Sequence, residues 1–126
     1  MESETDLSGV SVYGIRARAV AGDPHAQCRL GLLYDKGEGV REDDVEGVRW
    51  FRLAAEQGHA EAQYNLGVNY GTGRGVPQDD FEAVRWYRLA ADQGYHEAQY
   101  NLGLKHLSGR GVPLDRTEAD RWFRLA

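Results

Sequence analysis

A segment of 36 residues is written out twice in full and framed by partial copies, and no other feature of the chain constrains its fold as tightly. Ala62-Gln63-Tyr64-Asn65-Leu66-Gly67 returns as Ala98-Gln99-Tyr100-Asn101-Leu102-Gly103, and Gly73-Arg74-Gly75-Val76-Pro77 returns as Gly109-Arg110-Gly111-Val112-Pro113. Trp50, Trp86 and Trp122 keep the same step, as do Asp43, Asp79 and Asp115, and Gly22, Gly58 and Gly94. A period of this length marks a solenoid, in which each unit buries its apolar face only by stacking on its neighbours.

Each unit reads as two helices and a loop. The first helix, A, is expected over about Pro24 to Tyr34, Ala60 to Tyr70 and His96 to Leu107. Its recurrent Ala62, Leu66, Gly67 and Tyr70 fall at i, i+4, i+5 and i+8, which is one helical face. Gly31, Gly67 and Gly103 sit mid-helix, each at a cost of about 1 kcal/mol relative to alanine; the same register in three copies predicts a neighbour too close for any side chain. The Gly-x-Gly-Val loop lacks the strand before it and the lysine that a phosphate cradle needs. Its first glycine is expected to end helix A in a left-handed turn, its second to permit the reversal, and its valine to plug the loop onto the core.

Helix B opens at Asp43 with Glu46, Asp79 with Glu82 and Asp115 with Glu118. This spacing predicts a reciprocal capping box, the aspartate accepting from the third amide and the glutamate reaching back. Arg49, Arg85 and Arg121 follow those glutamates at i+3, and Arg52, Arg88 and Arg124 lie one turn further. An acidic ligand would suit such a column, but pairing with glutamate is available in every copy, so a solvated, paired face is expected. The opposite face, with Ala83, Trp86, Tyr87, Ala90 and Ala91, alternates small and large residues and reads as packing.

The expected organisation is an acidic leader without fixed structure at 1–7 and one all-α solenoid of stacked helix-turn-helix hairpins at 8–126. Within it 8–21 is a degenerate capping helix, 22–57 and 58–93 are full repeats, and 94–126 is a last repeat cut short. Arg16, Ala19 and Gly22 keep the register of Arg52, Ala55 and Gly58, whereas Gly14 stands where the tryptophans stand.

A net charge of -5 and a pI near 5.3 disfavour nucleic-acid partners and anionic membrane surfaces. No stretch approaches the roughly 20 apolar residues of a membrane span, so no membrane insertion is expected. The start, Met1-Glu2-Ser3-Glu4-Thr5-Asp6, lacks the pattern of a secretory signal, which predicts a cytoplasmic chain, or a periplasmic or secreted one if a signal has been removed. Cys28 stands alone, so no intrachain disulfide forms, and a buried small hydrophobe is expected.

Taken together, Ala-Gln-Tyr-Asn-Leu-Gly, Gly-Arg-Gly-Val-Pro-x-Asp and Ala-x-x-Trp-Tyr-x-x-Ala-Ala closely resemble the Sel-1-like repeat family over residues 22–126, with weaker likeness over 8–21. The resemblance implies an α/α solenoid similar to tetratricopeptide repeats. It also implies an adaptor that brings proteins together, as members in bacteria and eukaryotes do. Some secreted bacterial members carry a disulfide in each hairpin and are linked to β-lactam binding or hydrolysis; one cysteine departs from that pattern, and the activity is not carried over.

The residues themselves offer no catalytic constellation. His25, His59, His96 and His106 form no metal-ligand spacing, and no nucleophile elbow is present. No enzyme activity, metal or cofactor is expected, and a hydrolase is the remote alternative. His106 replaces Tyr34 and Tyr70 at a core-facing position and reads as a hydrogen-bonded, aromatic-sized substitute. By analogy with related hairpin solenoids, the concave face is lined by helix A, so a protein or peptide partner should meet Arg29, Leu33, Tyr64, Asn65, Val68, Asn69, Tyr100, Asn101 and Lys105. Asn65 and Asn101 would form an amide ladder for an extended peptide. The alternative is self-association through a last hairpin that lacks a polar cap, or a fragment of a longer array.

Overall fold

The computed structural model describes residues 11–126, and these form seven helices in sequence: α1 Val12–Val20, α2 Pro24–Lys36, α3 Asp44–Glu56, α4 Ala60–Thr72, α5 Asp80–Asp92, α6 His96–Ser108 and α7 Arg116–Leu125. The leader expected at 1–7 lies outside the described residues. Each helix packs chiefly on its neighbours in the chain, which gives stacked hairpins α2/α3, α4/α5 and α6/α7 with α1 ahead of them.

The aspartates start helices α3, α5 and α7 as the sequence predicts. Asp43, Asp79 and Asp115 accept through Oδ1 from the amides of Glu46, Glu82 and Glu118 at 3.1, 3.2 and 3.0 Å. The return half of the capping box is not made. Each aspartate amide already donates to the carbonyl of Tyr34, Tyr70 or His106, at 2.9 Å in all three copies, and so closes the base of the hairpin. With one donor spent there, the glutamates turn outward to Arg49, Arg85 and Arg121 at 2.9, 3.3 and 2.7 Å. These exposed pairs contribute little to stability.

Helices α2, α4 and α6 end one or two residues later than expected, at the left-handed glycines Gly37, Gly73 and Gly109. The second loop glycine does more than permit a reversal. At Gly75 φ is +79°, and a Cβ would run into the backbone carbonyl of Asp44, the first residue of the preceding helix B; Gly111 lies on Asp80 in the same way. Each loop is therefore seated on the repeat before it.

The mid-helix glycines meet an aromatic ring rather than bare backbone. A Cβ at Gly31, Gly67 or Gly103 would sit 2.6, 2.7 or 2.6 Å from the ring carbons of Phe51, Tyr87 or Phe123. Around these contacts Leu30, Leu66 and Leu102 are wholly buried, each contributing about 2 kcal/mol by removal from water.

Gln27, Gln63 and Gln99 are also buried; they keep the 36-residue step, although the apolar face of Ala62, Leu66, Gly67 and Tyr70 does not include them. Their Nε2 groups donate to the carbonyls of Ala19, Ala55 and Ala91 at 3.1, 3.2 and 3.1 Å, as a second donor beside the amides of Gly22, Gly58 and Gly94, and so tie each helix A to the end of the preceding helix. Gln57 then donates to Gln27 Oε1 at 2.7 Å and Gln93 to Gln63 Oε1 at 2.9 Å, tying the end of each helix B to helix A of its own hairpin. Helix α1 behaves as a helix B: Arg16 donates to the Tyr34 hydroxyl at 2.6 Å, as Arg52 does to Tyr70 at 2.6 Å. The second arginine column is thus partly tied to phenols instead of solvated beside glutamate.

Candidate functional site: the helix-A face

The nine expected contact residues do not form one surface. Tyr100 is 52% exposed, its ring 5.6 Å from Phe123, and Arg29 is also exposed. Tyr64 is half-buried between Tyr95 and Tyr87, at centroid distances of 5.3 and 6.0 Å. Asn65 is half-buried and donates to Cys28 Sγ at 3.8 Å, whereas Asn101 is engaged with the Tyr87 hydroxyl. The two amides therefore have different partners, because the register that holds Tyr87 above Asn101 holds Phe51, with no hydroxyl, above Asn65. Val68 packs against the core.

Leu33 and Asn69 leave the set. Leu33 is buried against Val12 and Ile15, and Asn69 is buried with its Nδ2 donating to the Arg74 carbonyl at 2.9 Å. The reason is geometric: this register follows the core leucine by three residues, and i and i+3 share a helix face. Lys105, the third member of the register, reaches Asp80 at 2.8 Å.

Charged groups gather at the two equivalent junctions where a loop meets the preceding helix B. At the first, Arg74 lies 3.2 Å from Asp35, 3.1 Å from Asp44 and 3.9 Å from Glu42. At the second, Lys105 and Arg110 lie 2.8 and 3.2 Å from Asp80, and the Lys105 bond holds that carboxyl below the usual carboxylate range. Beside it opens a cavity of about 380 Å³ lined by Tyr87, Asn101, Leu104, Lys105, Leu107, Ser108 and Arg110. The residues of this cleft other than Asn101 and Lys105 were not among the sequence candidates. The available signal was the offset of 30 residues that joins Arg74 to Asp44 and Arg110 to Asp80.

Burial pushes the Cys28 thiol up to about 12 and the Tyr87 hydroxyl up to about 12, so neither offers a nucleophile near neutral pH. His59 Nδ1 accepts from the Ala62 amide at 3.2 Å, capping α4, and its Nε2 lies 3.4 Å from His25 Nδ1. No group of three or more potential metal ligands occurs among the described residues. His106 is buried as expected, but not hydrogen-bonded: neither ring nitrogen has a partner.

Helical hairpins stacked at a fixed step, each loop seated on the unit before it, define an α/α repeat protein. Its repeats match the Sel1 repeat model over residues 24–59, 60–95 and 96–126, and the chain belongs to the Sel1 repeat family. It is similar to a protective antigen of uropathogenic Escherichia coli that displays an SLR fold, with 43% identity and a TM-score of 0.89 over 92% of this chain and 25% of that one. It is also similar to a Sel1 repeat protein from Oxalobacter formigenes, with 42% identity and a TM-score of 0.82 over 84% of this chain and 44% of that one. Cysteine rich protein B of Helicobacter pylori, at 18% identity and a TM-score of 0.73 over 90% of this chain and 84% of that one, shares the fold. The chain thus spans a quarter of the antigen and under half of the Oxalobacter protein. No curated protein matches it. No helix among the described residues is long and apolar enough to cross a membrane.

Proposed function

We propose that this chain is a protein-binding scaffold that holds a protein or peptide partner on its helix-A face. Sel1 repeats typically mediate protein binding and are usually non-catalytic. The observation that carries the reading is a repeated row: Tyr64 with Asn65, and Tyr100 with Asn101, recur on one face, with Tyr100 exposed and both asparagines half-exposed beside their internal partners. Arg29, Val68 and Lys105 flank that row. The test is affinity capture from lysate with the wild-type chain and with Asn65→Ala/Asn101→Ala, read by mass spectrometry beside thermal melts. A partner lost by the variant at an unchanged melting temperature supports the face; a partner held equally by both overturns it. Self-association through the last hairpin is disfavoured by Asp120, which is exposed at the register where Val48 and Val84 are buried. Light scattering across a concentration series separates the two readings.

A further inference from the structure

Two junctions built on the same plan carry opposite charge. Where the loop of the second repeat meets the first, the single cation Arg74 faces three carboxylates, Asp35, Glu42 and Asp44. Where the loop of the third meets the second, the registers of Asp35 and Glu42 hold Gly71 and Gln78, and that of Asn69 holds Lys105. Two cations, Lys105 and Arg110, therefore share the one carboxylate of Asp80. Asp80 engages Lys105, which is mostly buried, and takes only Nε of Arg110, whose side chain remains 60% exposed. Next to this surplus positive charge lies the apolar part of the cavity, where Leu104 and Leu107 are 40% and 46% exposed and Tyr87 supplies the floor.

Resting on the scaffold reading above, we propose that this cleft is a docking site for a peptide segment that pairs an acidic side chain with an adjacent apolar one. The partner's carboxylate takes the outer edge of the Arg110 guanidinium, a geometry suited to two parallel hydrogen bonds. Its apolar neighbour enters the cavity against Leu104 and Leu107, and Asn101 stands at the rim for the backbone. A basic segment is repelled here and would find its complement at the Arg74 junction instead. The charge pattern thus sets both the class of peptide and its place along the stack.

The experiment is selection of random dodecapeptides displayed on phage against the full chain, followed by fluorescence anisotropy of the enriched peptide. The expected consensus holds Asp or Glu next to a large apolar residue. Its affinity should fall roughly ten-fold or more with Arg110→Glu, less with Arg110→Lys, which keeps the charge but loses the two-pronged contact. Leu104→Ser should weaken it independently, and circular dichroism melts check that each variant folds. Enrichment of basic peptides, binding indifferent to Arg110→Glu and Leu104→Ser, or no enrichment each overturns the docking site. None of these outcomes decides the scaffold reading, which is tested separately by partner capture with the Asn65/Asn101 pair.

Discussion

The second and third repeats share Ala-Gln-Tyr-Asn-Leu-Gly letter for letter, yet they close their helix A differently. At the end of α4, the Tyr70 hydroxyl accepts from Arg52 at 2.6 Å, and the guanidinium carbon lies 5.6 Å from the ring centroid. At the same register of α6, His106 fills the space with a shorter ring that is only 6% exposed, and neither nitrogen finds a donor or acceptor. Arg88, the counterpart of Arg52, is exposed and has no partner among the described residues. A buried polar group without a partner costs about 1–3 kcal/mol. The comparison teaches that units nearly identical in sequence need not be equally stable, and that α6 and α7 should open before α4 and α5 in hydrogen exchange.

The largest expected effect attacks what the two repeats hold in common. Gly75→Ala and Gly111→Ala each force a Cβ at positive φ onto a backbone carbonyl, and each should destabilise the fold by about 3 kcal/mol in urea titrations. Equal losses at the two sites would show that loop seating is shared even where helix closure is not. Next, Tyr70→Phe removes the acceptor for Arg52 and should lower stability by about 1.5 kcal/mol. His106→Tyr should do the reverse, raising stability by about 1 kcal/mol by giving Arg88 its missing phenol. A double-mutant cycle with Arg88→Ala should show coupling only in the tyrosine background; coupling already present with histidine would break the comparison.

A smaller effect comes from the helix starts, where His59 caps α4 but Tyr95 offers α6 no side-chain bond. Burial, then the nearby His25, hold the His59 pKa below its ordinary 6.5, with Glu61 and Asp23 opposing. A depressed histidine pKa means the unfolded chain binds the proton more readily. The cap's contribution is therefore present above pH 6.5 and lost as pH falls through the folded-state value. Thermal melts from pH 8 to 5 should show this decline in the wild type and less of it in His59→Asp, since aspartate, as at Asp23, caps in its charged form. Smallest of all, Cys28 should react with a thiol reagent at pH 8 only as fast as the fold opens, because burial keeps the thiol protonated.

Much of the fold was legible because its determinants are local and repeated: a capping aspartate, a left-handed glycine and a wholly buried leucine each act within one turn of themselves. What escaped lies between helices. The return bond of the capping box was unreadable because the Asp43 amide is claimed by Tyr34 across the hairpin. Gln63 looked like any polar helix residue, although the Ala55 carbonyl and Gln93 consume both ends of its amide. On the candidate site the same blindness mattered more. Leu33 and Asn69 were assigned to the surface by a register that turns inward, and the charge reversal between Arg74 and Arg110 depends on residues of the preceding repeat.

The glutamine links across the seams run one way along the stack: Gln63 donates to the Ala55 carbonyl and Gln99 to that of Ala91, each later repeat donating to the one before it. A unit that carries both a donor and an acceptor of this kind fits between any two of its copies. An in-frame duplication of one unit would therefore insert a hairpin already matched at both seams, with no compensating substitution required. Length in such a chain is a heritable variable that can change in single steps, while the chemistry of a binding cleft, set by a handful of unequal positions, drifts separately.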